Sequence, residues 1–102
     1  MKRFLIKYHF TAGSKDDWHE AIRRFITAIE NDPELSGKIS YRAMKTAGDD
    51  YYHLATAIDQ SAVEALGRAD FFDRYSETTD RVSGGGVEVL PLEVIAETAY
   101  RP

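Results

Sequence analysis

The sequence predicts an α+β domain with the order β-α-β-β-α-β, a four-stranded antiparallel sheet with its helices on one face. Three observations carry that expectation. Residues 3–10 (RFLIKYHF), 39–46 and 51–58 are rich in aromatic and β-branched side chains, as strands are. Between the first two runs, Trp18, Ile22, Phe25, Ile26 and Ile29 recur at i, i+4, i+7, i+8 and i+11, a one-sided helical stripe. After the third run comes a second helical region, closed by Gly84-Gly85-Gly86 and followed by a last strand-like run at 87–93.

Each element has its own signals. Thr11-Ala12-Gly13 turns the chain after the first strand. Ser14 then stands as the N-cap of the first helix, with Asp16 and Asp17 in the first turn, where carboxylates favour the helix dipole. Asn31-Asp32-Pro33-Glu34 ends that helix, because the residue before a proline is pushed out of the helical region. Ala47-Gly48-Asp49-Asp50 reads as the loop of a hairpin. With four loop residues, one sheet face carries Ile39, Tyr41, Ala43, Leu54, Thr56 and Ile58. The other then carries Arg42, Met44, Tyr51, His53, Ala55 and Ala57. Both faces hold apolar groups, which calls for a second layer, supplied most economically by a homodimer through the open sheet face. Ser61-x-x-Glu64 has the form of a capping box, and Pro91 marks the last strand as an edge or a bulge. Residues 96–102 show no pattern. The whole is the split βαβ, or ferredoxin-like, arrangement.

The second helical region is out of phase with itself. Its early stripe is Ala62, Ala65, Leu66 and Ala69; its later one is Phe71, Phe72, Tyr75 and Val82. On one uninterrupted helix these stripes lie about 120° apart, so a single helix cannot bury both against one sheet. A short helix near 61–68, a break helped by Gly67 and a longer helix near 71–83 resolve the conflict, with Asp70 as the second N-cap.

Bulk properties bound the function. At 102 residues the chain is expected to form a single domain, residues 1–102. A formal charge of −4 and a pI near 5.3 argue against a nucleic-acid surface. No run approaches the ~20 apolar residues of a membrane span. MKRFLIKYHF begins like a signal peptide, but Lys7 interrupts its apolar run after three residues, so a cytoplasmic protein is expected. Without cysteine there is no disulfide, thiolate nucleophile or cysteine metal site. The triple glycine neither follows a strand nor opens a helix, so it is not a phosphate loop.

The broken helix followed by VEVLPLEVIAE resembles the antibiotic-biosynthesis-monooxygenase and quinol-monooxygenase families, most closely over HLATAIDQSAVEALGRADFFDRYSE, residues 53–77. The resemblance implies a dimeric α/β barrel with a pocket in each subunit. It also implies, for some members, cofactor-free oxidation of phenolic or quinol-like substrates. Members often carry H-x-x-x-x-H-F before the final helix. Aligned on Phe72, those histidine positions hold Leu66 and Phe71 here, so no activity that needs an imidazole at either place carries over.

Cofactor-free oxygenation needs a dry pocket for a phenolate or carbanion, a base that generates it, and donors that stabilise the charge. His53 and His9 are the candidate bases. The first and third strands should be antiparallel neighbours, which would bring both to one edge of the sheet; otherwise each is a half-exposed histidine near a strand end. Arg42 is a candidate for stabilising an anion near His53, or an interface ion pair. Trp18 lines a pocket mouth or is core. Tyr41, Tyr51 and Tyr52 are hydrogen-bond donors to a ligand oxygen or packing groups, Phe72 is a pocket wall, and His19 lies on a solvated helix flank. No cofactor and no metal site are expected. The expected ligand is a small aromatic molecule. A non-catalytic ligand-binding or structural barrel protein stands as the alternative.

Overall fold

The computed structural model describes residues 1–100. Its elements are β1 (Lys2–His9), α1 (Lys15–Asn31), β2 (Ile39–Lys45), β3 (Asp50–Ala57), α2 (Gln60–Gly67), α3 (Asp70–Ser83) and β4 (Glu88–Leu92). The strands make one antiparallel sheet in the order β2-β3-β1-β4, and the helices cover one face. This is the expected α+β, ferredoxin-like arrangement. The four strands remain an open sheet; within one chain they do not close into a barrel.

Local signals explain most boundaries. Ser14 caps α1, its hydroxyl accepting from the Asp17 N–H at 3.2 Å. The stripe of α1 turns inward, burying Trp18, Ile22, Phe25 and Ile29, with Ile26 half-buried. The second helical region breaks where its two stripes conflict, giving α2 and α3. Both caps differ from expectation. Asp59, not Ser61, caps α2, because its carboxylate accepts from the Ala62 N–H at 2.9 Å. At the second start Ala69 is already extended (φ −72°, ψ 132°) and takes the cap position, so Asp70 falls inside the first turn beside the helix dipole. Pro91 sits on the edge strand β4, opposite Phe4, where its missing N–H costs no ladder bond on the open side.

The hairpin register differs from expectation and matters most. Thr46 N–H bonds to the Asp50 carbonyl at 3.0 Å, so Asp50 belongs to β3 and only Ala47, Gly48 and Asp49 form the loop. A loop one residue shorter shifts the pairing by one, and every side chain of β3 changes face relative to β2. Lys45 now faces Tyr51, Ala43 faces His53, and Tyr41 faces Ala55. Tyr41, Tyr51 and His53 therefore share the helix-covered face.

The core follows from that face. Tyr8, Phe10, Trp18, Ile22, Tyr51 and Val82 pack at one end; Phe25, Ile29 and Leu35 pack at the other, with Tyr75 touching both groups. The uncovered face carries the row Arg42, Leu54, Leu5 and Leu90. Around it lie Met44, Tyr52 (38% exposed) and Leu92.

The glycines at the two helix ends give opposite expectations. Gly84 ends α3 at φ 65°, where an added Cβ would meet Thr11 Oγ1 at 3.3 Å. Gly67, at the end of α2, has nothing within 4 Å of an added Cβ and no positive φ. Gly84→Ala should cost about 1–2 kcal/mol. Gly67→Ala should be neutral or stabilise by up to about 1 kcal/mol. Urea unfolding of both variants reads the contrast, and equal effects would contradict it.

Candidate functional site

Three tyrosines from three elements, β1, β2 and α3, converge on one imidazole. Ile6 and Ala43 flank His53 in the sheet, and the next row places Tyr8 beside Tyr51. Tyr8 Oη lies 2.9 Å from His53 Nε2. Across the ring, Tyr41 Oη lies 2.6 Å and Tyr75 Oη 3.2 Å from Nδ1, and the two hydroxyls are 3.0 Å apart. Behind Tyr8, the Trp18 indole N–H donates to Tyr8 Oη at 2.9 Å. The rings brace one another as well: Tyr75 stacks on Phe25 with centroids 3.7 Å apart and on Trp18 at 5.5 Å.

His53 is fully buried, at 0% exposure. Taking a charged imidazolium out of water is costly, so burial pushes its pKa down to about 4 and the ring is neutral near pH 7. Burial also pushes the phenols of Tyr8, Tyr41 and Tyr75 well above the ordinary range. Every group in the cluster is thus uncharged, and no buried polar side-chain atom among the described residues lacks a hydrogen-bond partner.

Tyr41 and Tyr75 face a cavity of about 580 Å³ between the sheet, α2 and α3. Phe4, Ile6, Phe25, Val63, Leu66 and Phe72 supply much of its wall. Ser76, Thr79 and Asp80 of α3 also line it. His53 does not line it and sits behind the two tyrosines. Such a cavity can take a mostly apolar ligand of drug-like size and offers it very few polar contacts.

The predicted candidates are dispersed. Phe72 lines the cavity. Trp18 is core, 2% exposed, and reaches the cluster only through Tyr8. Tyr51 is buried, stacks on Tyr8 and bonds through its hydroxyl to His19 Nε2 at 2.7 Å, so His19 is not a solvated flank residue. His9 and His53 do not meet. Their strands are neighbours as expected, but His9 pairs with Asp50 at the exposed sheet edge, its Nδ1 3.0 Å from Asp50 Oδ1, and odd and even positions of β1 face opposite sides. Arg42 is likewise not near the imidazole; paired with Leu54, it lies on the uncovered face. Of the two positions aligned with the H-x-x-x-x-H-F pattern, Leu66 lines the cavity and Phe71 packs on Phe25. Tyr8 and Tyr75 went unrecognised as site residues. Tyr75 stands in the α3 stripe three residues after Phe72, a spacing that marks one helix face but does not distinguish a packing ring from a working hydroxyl.

Among the described residues no three His, Asp or Glu side chains gather as a metal site would require, and no helix is long and apolar enough to cross a membrane.

No protein-family model matches the chain, and no curated protein matches it in sequence. Solved structures do match in shape. An antibiotic biosynthesis monooxygenase superposes with a TM-score of 0.77 at 11% identity, covering 94% of this chain and all of that one. A mutant of SnoaB, a cofactor-independent oxygenase from Streptomyces nogalater, gives 0.78 at 12% identity over 97% of each chain. A dimeric ferredoxin-like protein of unknown function from Jannaschia sp. CCS1 gives 0.70 at 20% identity, covering 92% of this chain and all of that one. The fold is that of the antibiotic-biosynthesis-monooxygenase-like proteins. At such identities the likeness speaks for the backbone and leaves the chemistry to the side chains.

The buried imidazole makes stability depend on pH. An unfolded chain protonates His53 near the ordinary value of 6.5, whereas the folded chain resists until about 4. As pH falls through that window the unfolded state binds more protons, so stability present above 6.5 declines, by about 3 kcal/mol in all. Urea midpoints measured from pH 7.5 to 4.5 should fall more steeply for the wild type than for His53→Gln. Parallel profiles would show that the ring is not held neutral.

Proposed function

We propose that the chain is a small cofactor-independent oxygenase that holds an aromatic or quinol-like substrate in the cavity under α2 and α3. The observation that carries this reading is the cavity's make-up: about 580 Å³ of largely apolar wall, with the Tyr41–Tyr75 hydroxyl pair backed by a buried neutral imidazole. A substrate carbanion or phenolate reacts with dioxygen without a cofactor when it is kept dry and its charge is stabilised. For an anthrone-type ring the balance is simple. A CH2 group and O2 give a ring carbonyl and one water. In this reading Tyr41 and Tyr75 touch the substrate, Phe72 and Leu66 shape its slot, and His53 with Trp18 positions the tyrosines.

The working unit in this proposal is a homodimer joined through the uncovered sheet face. Leu5, Leu54 and Leu90 form an apolar band there, with Arg42 and His9 on the same side of the sheet. Those two residues are assigned to the subunit contact and not to the chemistry.

The second reading is a ligand-binding barrel without catalysis. Leu66 and Phe71 favour it, because the cavity wall holds Leu66 and no imidazole, and neither position carries the histidine that the resemblance led one to look for.

Oxygen uptake with a panel of anthrones and quinols separates the two readings. The oxygenase predicts turnover of at least one member, falling on the order of tenfold or more in Tyr75→Phe. Saturable binding of the panel without oxygen consumption selects the second reading. Sedimentation should find a dimer, converted to monomer by Leu54→Glu; a wild-type monomer would remove the proposed contact.

A further inference from the structure

The hydrogen-bond cluster has a direction, and the direction follows from counting its hydrogens. Trp18 Nε1 is a donor only, so Tyr8 Oη accepts from it. The Tyr8 hydroxyl hydrogen then has one possible acceptor among the described residues, His53 Nε2, since Tyr8 Oη bonds to nothing else. If Nε2 carried the proton instead, the Tyr8 hydrogen would be buried without a partner. The neutral ring is therefore the Nδ1–H tautomer.

The count continues on the far side. Nδ1–H donates to Tyr41 Oη, the nearer oxygen at 2.6 Å, or shares itself with Tyr75 Oη at 3.2 Å. One hydroxyl hydrogen of the tyrosine pair fills the 3.0 Å contact between them. The other has no acceptor left, because among the described residues these hydroxyls bond only to each other and to His53, and His53 Nδ1 is already protonated. Both tyrosines line the cavity, and the cavity is where that hydrogen can go.

We infer that the Tyr41–Tyr75 end of the cavity presents its ligand with one outward-directed phenolic hydroxyl, and that this end selects aromatic ligands bearing an acceptor oxygen, a ring carbonyl or an already ionised oxyanion. This rests on reading the cavity as a ligand site. It also divides the work of the proposed oxygenase: the cluster stabilises charge on a ligand oxygen and does not remove a proton. Accepting one would require every hydroxyl to reverse and would strand the Tyr8 hydrogen. Trp18 and Tyr8 are positioning residues that set the polarity from two bonds away.

Two measurements on the wild-type protein test it. Long-range ¹H–¹⁵N correlation on ¹⁵N-histidine-labelled protein should show His53 protonated at Nδ1; protonation at Nε2 overturns the inference and leaves the oxygenase reading intact. Titration with three isosteric tricycles reads the ligand half: fluorenone offers only an acceptor, carbazole only an N–H donor, and fluorene neither. Fluorenone should bind about tenfold tighter than either of the others. That advantage should vanish in the Tyr41→Phe, Tyr75→Phe double variant. Equal affinities, a preference for carbazole, or binding of none of the three overturns the ligand assignment. Fluorenone selectivity without any oxygen uptake on the anthrone panel would sustain this inference while removing the oxygenase.

Discussion

A neutral imidazole with no access to water is tolerated in a protein core only when both ring nitrogens are hydrogen bonded, and much of this structure answers that requirement at His53. Meeting it takes Tyr8 from β1, Tyr41 from β2 and Tyr75 from α3, with Trp18 of α1 fixing Tyr8 in turn. The ring thus ties three of the sheet's four strands to two of its three helices. An unsatisfied polar group here would cost ~1–3 kcal/mol, enough to make the register of β1, β2 and β3 matter at the level of single residues. Stacking of Tyr75 between Phe25 and Trp18 supplies the apolar side of the same bargain, since the ring's faces are buried while its hydroxyl reaches the cluster.

That arrangement also explains why the cavity has a polar end at all. A purely apolar core would have been simpler to build. Instead His53, barred from water and uncharged, lies just behind the wall formed by Tyr41 and Tyr75. Low local dielectric strengthens whatever hydrogen bond a tyrosine makes to a ligand there. The same low dielectric keeps the phenols protonated, because their pKa values are driven up by burial. The cluster is therefore a donor at neutral pH, a property set by packing and not by any charged neighbour.

The layout of helices and strands was legible in the sequence because it rests on local periodicity. The α1 stripe and the break between Leu66 and Phe71 are conflicts or agreements of phase within a dozen residues, and phase is what a sequence displays. The hairpin register was not legible. Asp50 has poor strand propensity and follows a Gly-Asp pair, so it reads as loop, yet its carbonyl accepts from Thr46 and begins β3. That one residue moved Tyr41 onto the face of His53 and Arg42 off it. Tyr8 and Tyr75 were hidden for a different reason. Their hydroxyls acquire meaning only from partners 45 and 22 residues away along the chain. Propensity and spacing see a ring to be buried; the partner of its oxygen is a property of the tertiary structure.

The uncovered face of the sheet bears on the same cluster through the backbone. Residues alternate across each strand, so Leu54, half-buried, and Tyr52, exposed, lie on the far side and are the chain neighbours of His53. Strands covered on one side only twist and breathe more freely than strands packed on both. A 2.6 Å hydrogen bond between Tyr41 and His53 spans the β2–β3 pairing, so small changes in that pairing fall directly on the bond. In the proposed dimer, a second subunit seated on Leu5, Leu54 and Leu90 would clamp β1, β3 and β4 from behind. On this argument the contact stabilises more than an apolar patch. It holds the strands that set the spacing of Tyr8, His53 and Tyr41, and with it the orientation of the donor at the cavity wall.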